Sequence, residues 1–256
     1  MASPRTNVII GGASGIGWAT AQRLALGGEV VVVADIDGDA AAARAAELGT
    51  PHRSAQVDVA DEESVAALFD AAVAAGGFTG VVNCAGVSTL GLIIEHDVAE
   101  FRRVLDVCLT GSFLVIKHAG TRIENRGSIV SLSSLNARQP GTGMAAYCSA
   151  KAGLVMLTQV AALELAGRGI RVNAVSPGLV VTPLTAPAMD IPGVRDEYIE
   201  NTPLGRSGEP DEIAAILGFL LSDDSAWITG ENIDINGGAH LQRYPDLHGL
   251  VVKAFG

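Results

Sequence analysis

The chain has 256 residues, of which 48% are hydrophobic and 18% charged. This composition excludes a disordered protein and suits one large α/β domain. The formal net charge of −11 argues against a nucleic-acid partner, because such a partner needs a basic face. No stretch approaches the ~18 consecutive apolar residues of a membrane span, and no signal core is evident near Met1. Cys84, Cys108 and Cys148 lack metal-ligand spacing, so we expect free thiols, no metal and a cytoplasmic location.

The first apolar run, Val8-Ile9-Ile10, is typical of a buried strand. A glycine-rich turn follows at residues 11–17, and residues 18–26 have the pattern of a helix. In this context, glycines let the backbone approach a pyrophosphate, and the helix N-terminus offers free N–H groups. The alternative is a tight turn that binds nothing.

A second strand at residues 30–34 ends at Asp35. A carboxylate about 20 residues beyond the glycines is suited to bind the adenosine ribose hydroxyls, and it would repel a 2′-phosphate. Asp35 therefore favours NAD over NADP. In the alternative, Asp35 or Asp37 only caps the helix that starts near Gly38; Asp37 fits that role better.

The alternation continues along the chain and predicts a parallel sheet with helices on both faces. Further helices are expected at 38–48, 61–75, 97–119, about 147–166 and 210–221, and further strands at 53–57, 80–82, 128–132, 171–175 and 232–235. Gly11, Asp35, Asp58 and Asn83 all follow strands, so they should lie together where ligands bind such sheets. Residues 183–206 lack periodicity and contain four prolines, which predicts a substrate loop. No linker or repeat interrupts the chain, and we predict one domain over residues 1–256.

Tyr147 and Lys151 stand four residues apart on a predicted helix, so both side chains should face the same space. The phenol is a poor base near neutral pH because its reference pKa is about 10. A nearby cation lowers that pKa and suits the phenol for proton exchange with an alcohol. The spacing alone is a weak signal, because it is common in helices without any such role.

Several motifs together strengthen this interpretation. They are G-x-x-x-G-I-G at 11–17, Asp58-Val59, N-C-A-G at 83–86, Ser134 thirteen residues before Tyr147, Y-x-x-x-K at 147–151, P-G-x-x-x-T at 177–182 and I-T-G…I-N-G-G at 228–238. In this order and spacing they resemble the short-chain dehydrogenase/reductase family over nearly the whole chain. The resemblance implies a Rossmann-type doubly wound domain with a seven-stranded parallel sheet of order 3-2-1-4-5-6-7.

The resemblance also implies roles for individual residues. Tyr147 would be the acid/base on the substrate oxygen, and Lys151 would lower its pKa and hold the nicotinamide ribose. Ser134 would polarise the same oxygen, with Ser133 the less favoured candidate. The residues expected to bind NAD are Gly11, Ser14, Gly15, Ile16, Gly17, Asp35, Ile36, Asp58, Val59, Asn83, Ala85, Gly86, Tyr147, Lys151, Pro177, Gly178, Val180 and Thr182.

Two positions depart from the family pattern. Ile10 replaces a threonine before the first glycine, which should cost little. Cys108 stands where the family often has a catalytic asparagine that supports a water between the lysine and solvent. A thiol is a weak hydrogen-bond partner. The cysteine is tolerated if the relay uses the backbone carbonyl, and turnover is slow if the relay uses the side chain.

The sequence therefore predicts an NAD-dependent oxidoreductase of secondary alcohols and ketones. Apolar residues in the 183–200 segment suggest a hydrophobic, alicyclic or steroid-like substrate. One alternative is a 3-oxoacyl-thioester reductase, although such enzymes usually use NADPH. Another is a non-catalytic dinucleotide-binding sensor or scaffold with a degraded site. By analogy with the family we expect a homotetramer, in which the tail 239–256 covers a neighbouring subunit's site.

Overall fold

The computed structural model describes residues 4–255, and its central feature is a parallel sheet of seven strands. The strands are β1 (Thr6–Ile10), β2 (Val30–Asp35), β3 (Arg53–Gln56), β4 (Gly80–Asn83), β5 (Ser128–Leu132), β6 (Arg171–Pro177) and β7 (Asn232–Ile235). Their order in the sheet is β3-β2-β1-β4-β5-β6-β7, which confirms the predicted topology.

Helices connect the strands. They are α1 (Gly15–Leu26), α2 (Gly38–Leu48), α3 (Glu62–Ala74), α4 (Val98–Leu105), α5 (Gly111–Arg122), α6 (Ala145–Leu165), α7 (Ala186–Met189), α8 (Val194–Glu200), α9 (Pro210–Leu221) and α10 (Leu247–Phe255). The carboxylate of Asp37 accepts a hydrogen bond from the Ala40 N–H at 2.9 Å. Asp37 is therefore the cap of α2, as expected, and Asp35 is left for another role.

The helices cover both faces of the sheet. Val8 and Ile10 point to one face and pack in a cluster with α3 and α5, whereas Ile9 points to the other and packs with α1 and α9. Side chains alternate between faces along a strand, so a continuous apolar run buries both sides. The layered fold leaves the carboxyl ends of the strands open at one edge.

Three segments differ from the sequence-based expectations. The expected helix 97–119 is divided into α4 and α5 by a π-helical turn, Asp106–Thr110. The expected loop 183–206 contains α7 and α8, and the tail contains α10. The helix α1 also begins at Gly15, three residues earlier than expected, because Gly15 and Gly17 belong to the helix as well as to the turn.

Two helical stretches, Val98–Arg122 and Ala145–Arg168, are long and apolar enough to cross a membrane by length and composition alone. Both pack in this fold: α3 contacts α5, and α6 contacts α4 and β6. Core helices of globular enzymes pass the same test, so the two stretches are weak evidence for a membrane span.

Candidate active site

Two cavities open at the carboxyl ends of the strands. The glycine-loop groove, of about 280 Å³, lies between the turn after β1 and the ends of β2 and β4. The apolar pocket, of about 300 Å³, lies beside it, and both Ser134 and Tyr147 line it. Leu184 lines both cavities, so a ligand in the groove and a ligand in the pocket would meet there.

Glycine is required in the turn between β1 and α1. Gly11 has a φ of +70°, which L-residues with a side chain rarely adopt. A Cβ atom on Gly17 would lie 2.1 Å from the Gly11 carbonyl oxygen, so only glycine lets the first turn of α1 pack this closely on the loop. The helix N-terminus therefore borders the groove, with the Ser14 side chain making no capping hydrogen bond of its own. This cradle suits a pyrophosphate.

Asp35 lies at the end of β2 and lines the groove. Its Oδ2 accepts a hydrogen bond from the Ala13 N–H at 3.0 Å, and its Oδ1 accepts one from the Asp37 N–H at 3.2 Å. Each carboxylate oxygen retains a further acceptor site. Among the described residues, Asp35 and Asp58 line the groove and no lysine or arginine does. The groove therefore offers acceptors to ribose hydroxyls and no cation to a 2′-phosphate.

Most residues expected to bind the cofactor line this groove. Those residues are Gly11, Ser14, Gly15, Ile16, Gly17, Asp35, Ile36, Asp58, Val59, Ala85, Gly86 and Thr182. Pro177, Gly178 and Tyr147 line the apolar pocket instead. Asn83 and Val180 are buried and line neither cavity, and their expected contacts with the cofactor stay predictions.

The helix α6 brings Tyr147 and Lys151 together. The Nζ atom of Lys151 lies 5.5 Å from the centre of the Tyr147 ring, and the lysine side chain is only 3% exposed. Nζ donates a hydrogen bond to the Leu132 carbonyl at 2.7 Å, which fixes the cation at the end of β5. The ammonium group of Lys151 therefore lies beside the Tyr147 ring, as the spacing of the two residues on a helix predicts.

The two serines after β5 have different surroundings. The Ser134 side chain is directed to the apolar pocket and accepts a hydrogen bond from the Asn136 N–H at 3.2 Å. The Ser133 hydroxyl donates to the Lys151 carbonyl at 3.3 Å and does not line the pocket. The geometry therefore favours Ser134 as the residue that contacts a substrate oxygen, and Ser133 holds the helix that carries Lys151.

Cys108 lies in the π-helical turn and is fully buried. Its Sγ donates a hydrogen bond to the Val87 carbonyl at 3.2 Å and accepts one from the Val87 N–H at 3.4 Å. A Cβ atom on Gly86 would lie 3.7 Å from Lys151 Nζ and 3.8 Å from Cys108 Sγ. The thiol and the ammonium therefore flank the same small space, which glycine leaves open.

A buried chain of hydrogen bonds supports the Cys108 backbone. The Asn83 amide donates to the Ser112 hydroxyl at 3.1 Å, and this hydroxyl donates to the Cys108 carbonyl at 2.8 Å. The Asn83 Oδ1 accepts a hydrogen bond from the Ala85 N–H at 3.2 Å. Asn83 thus links the loop after β4 to the π-helical turn. Ser112 belongs to this network without having been expected, since no motif marks it.

The apolar pocket is closed by the 183–206 segment and by the C-terminal tail. Met189 and Val194 from the segment pack in one cluster with Leu247 from α10 and with Tyr147. In this structure the tail therefore covers the pocket of its own chain, where the sequence-based hypothesis placed it over a neighbouring subunit. Tyr198 and Tyr244 also line the pocket. Sequence reasoning missed both, because 46 residues separate them and neither belongs to a motif.

The chain is similar in sequence to known proteins. The model of the family described as enoyl-(acyl carrier protein) reductase matches residues 11–240. The chain is 35% identical to the (3R)-3-hydroxyacyl-CoA dehydrogenase of Mus musculus, over 90% of this chain and 94% of that protein. It is 37% identical to the 3beta-hydroxysteroid dehydrogenase 1 of Eggerthella lenta, over 94% of this chain and 95% of that protein.

A solved structure is similar throughout. The short-chain type dehydrogenase/reductase from Mycobacterium ulcerans superposes with a TM-score of 0.93 at 34% identity, and the match covers 98% of this chain and 95% of that one. The sheet order, the glycine loop and the grouping of Ser134, Tyr147 and Lys151 agree with this relationship. The chain belongs to the short-chain dehydrogenase/reductase family and is an oxidoreductase that transfers a hydride between a nicotinamide dinucleotide and a secondary alcohol or ketone.

Proposed function

We propose that this enzyme prefers NAD and oxidises, or forms by reduction, an apolar secondary alcohol. The preference for NAD rests on Asp35, which faces the glycine-loop groove with free acceptor sites. A 2′-phosphate would meet this carboxylate at close range, and like charges repel strongly where solvent is partly excluded. Arg44 donates a hydrogen bond to the Ala13 carbonyl of the glycine loop at 3.2 Å, but it pairs with Glu47 at 2.7 Å and does not line the groove.

The residues of the site have complementary tasks in this reaction. In oxidation, the Tyr147 oxygen accepts the proton of the alcohol, and the Ser134 hydroxyl holds the same oxygen in place. Lys151 supplies positive charge beneath the phenol while the proton moves. The nicotinamide accepts or donates the hydride, which is the chemistry of the bound cofactor. In reduction, Tyr147 returns its proton to the carbonyl oxygen.

The character of the pocket supports a hydrophobic substrate. Leucine, isoleucine, valine, methionine and alanine side chains supply most of its lining, and none of its described lining residues is charged. The steroid dehydrogenase among the relatives supports an alicyclic substrate, and the (3R)-3-hydroxyacyl-CoA dehydrogenase supports the alternative of an acyl thioester. Reductases of 3-oxoacyl thioesters usually use NADPH, and Asp35 therefore favours the alicyclic alcohol.

Binding titrations test the cofactor preference. Tighter binding of NAD than of NADP is expected. Replacement of Asp35 by alanine should weaken NAD binding and reduce the difference in Kd between NAD and NADP. Asp37→Ala is the matched control, because that carboxylate caps α2. Tighter NADP binding by the unmodified protein would contradict the role of Asp35.

We further propose that the enzyme is a cytoplasmic homotetramer. Apolar side chains remain on its surface: Leu163 on α6 is 81% exposed and Trp227 is 99% exposed. Such surfaces are common where subunits associate. Light scattering after size-exclusion chromatography should give a mass near four times 26.2 kDa; a monomer would contradict this part of the proposal.

A further inference from the structure

The wall of the apolar pocket also carries two tyrosines that the reaction does not use. Tyr198 lies on α8, and Tyr244 lies in the tail just before α10. Their hydroxyl oxygens are 2.9 Å apart, and their rings meet edge to face at 85° with centres separated by 6.1 Å. Both side chains line the pocket that Tyr147 and Ser134 also line. The pair therefore faces the space in which the substrate must lie.

Two phenolic hydroxyls carry two protons, and only one of them lies between the two oxygens. The other is directed at a sulfur: the Tyr244 hydroxyl contacts the Met144 Sδ at 3.2 Å. A thioether sulfur is a weak acceptor. A ligand oxygen would accept this proton more strongly, so the pair holds one donor ready for a ligand at little cost to its internal hydrogen bond.

The pair remains neutral at the pH of most enzyme reactions. Burial raises the pKa of the Tyr198 phenol and raises the pKa of the Tyr244 phenol well above its usual value. A smaller electrostatic interaction with Tyr147 also raises both pKa values, because all three phenols line the same pocket. A neutral hydroxyl pair recognises a carbonyl or hydroxyl oxygen and has no charge to offer to a carboxylate or phosphate.

The rest of the pocket sharpens this selectivity. Leu179, Met189, Val194 and Leu247 form apolar walls of the same pocket. A purely hydrocarbon ligand would pack against these walls and leave the spare donor with its sulfur contact only. An apolar ligand with two oxygens would satisfy both the catalytic residues and the pair.

We propose that Tyr198 and Tyr244 bind a second oxygen of the substrate, so that the preferred substrate is an uncharged alicyclic alcohol or ketone with a further carbonyl or hydroxyl group besides the reacting one. This inference rests on the proposed function, because it assigns the reacting oxygen to Ser134 and Tyr147. It goes further in defining a second polar group of the substrate.

The test compares matched pairs of substrates in which only the second oxygen differs. Suitable probes are cyclohexanol with cyclohexane-1,4-diol, a decalol with its keto derivative, and a 3-hydroxysteroid with and without a 17-keto group. The unmodified enzyme should show a higher kcat/KM for the dioxygenated member of at least one pair, by about three- to tenfold for one added hydrogen bond. The advantage should lie mainly in KM, because the contact of the tyrosine pair with the second oxygen is equally present before and during the reaction.

Single substitutions test whether the higher kcat/KM for the dioxygenated substrate depends on the tyrosines. Tyr198→Phe and Tyr244→Phe should each reduce the advantage toward one, because each lowers kcat/KM for the dioxygenated member more than for the simple alcohol. Met144→Leu is the matched control: it removes the sulfur acceptor and leaves both hydroxyls, so the advantage should persist or grow. NAD titration of each variant verifies that the groove is intact.

The outcomes separate this inference from the proposed function. Turnover of simple alcohols without preference for any dioxygenated partner would overturn the inference and leave the proposed function standing. A preference that survives both phenylalanine variants would also overturn it. Failure to turn over any alcohol in the panel would contradict the proposed function itself, and the inference with it.

Discussion

The Sγ atom of Cys108 both donates to and accepts from the backbone of Val87, at 3.2 Å and 3.4 Å. One thiol thus holds the loop after β4 against the π-helical turn, at the position where the family resemblance implies an asparagine. A carboxamide also has one donor and one acceptor end. The side chain at this position therefore connects two backbone segments beside Lys151, and the Cys108 carbonyl is held separately by Ser112.

Replacing Cys108 by alanine should remove both contacts and leave the Val87 N–H and carbonyl without these partners. We expect the free energy of unfolding to fall by about 1–3 kcal/mol, as measured by urea denaturation, and kcat to fall with it. Cys108→Asn, which retains a donor and an acceptor, should preserve or raise kcat. Wild-type kcat and stability in Cys108→Ala would show that the thiol contributes nothing to the site.

Replacing Gly17 by alanine should disrupt the glycine loop, because the new Cβ would lie 2.1 Å from the Gly11 carbonyl oxygen. Overpacking of this kind costs about 1–3 kcal/mol of stability, and the displaced loop should weaken NAD binding. Calorimetric titration with NAD and thermal denaturation measure the two effects. Gly167→Ala is the control, because no atom lies within 4 Å of its Cβ position; equal behaviour of the two variants would contradict the packing argument.

The glycine loop and the parallel sheet were predictable because both depend on local pattern, whereas the strand order was expected only from the family resemblance. Short apolar strands, intervening helices and the residues after each strand establish the sheet and its ligand edge. The π-helical turn was not predictable in this way. Its residues have an ordinary helical composition, and what distinguishes the turn is the contact of Cys108 with Val87, 21 residues away.

The packing of the tail against the pocket could also not be predicted from sequence pattern. The helix α10 is short, and Leu247 and Leu250 hold it against residues of α7 and α8 through tertiary contacts. Isolated helices of this length are marginal in water, so their formation depends on packing that a local pattern does not reveal. The pairing of Tyr198 with Tyr244 follows from the same packing.

Ionisation of the tyrosine pair should make the protein less stable at high pH. Burial raises the pKa of the Tyr198 and Tyr244 phenols above the value of about 10 expected in the unfolded chain. Between these pKa values the unfolded chain binds fewer protons than the folded protein, so the free energy of unfolding falls as pH rises above about 10. Below pH ~10 the contribution of the pair is constant.

Urea denaturation as a function of pH measures this loss, and ultraviolet absorbance of the phenolate follows the ionisation. In the Tyr147→Phe variant only two of the three tyrosines remain. Their folded-state titration should lie above that of the urea-unfolded chain. Tyr198→Phe and Tyr244→Phe should each reduce the fall in the free energy of unfolding above pH ~10. Coincident titrations of the folded and unfolded chains would contradict the burial of the pair.

The most direct test of the account is the rate of NADH formation from NAD with a panel of secondary alcohols, measured for the unmodified enzyme and for Tyr147→Phe. Removal of the acid/base should reduce kcat by about 10²–10⁴-fold, while the Kd for NAD stays nearly unchanged. Wild-type kcat in Tyr147→Phe would contradict the role of this tyrosine. Tight NADH binding without turnover of any alcohol by the unmodified protein would favour a non-catalytic dinucleotide-binding protein instead.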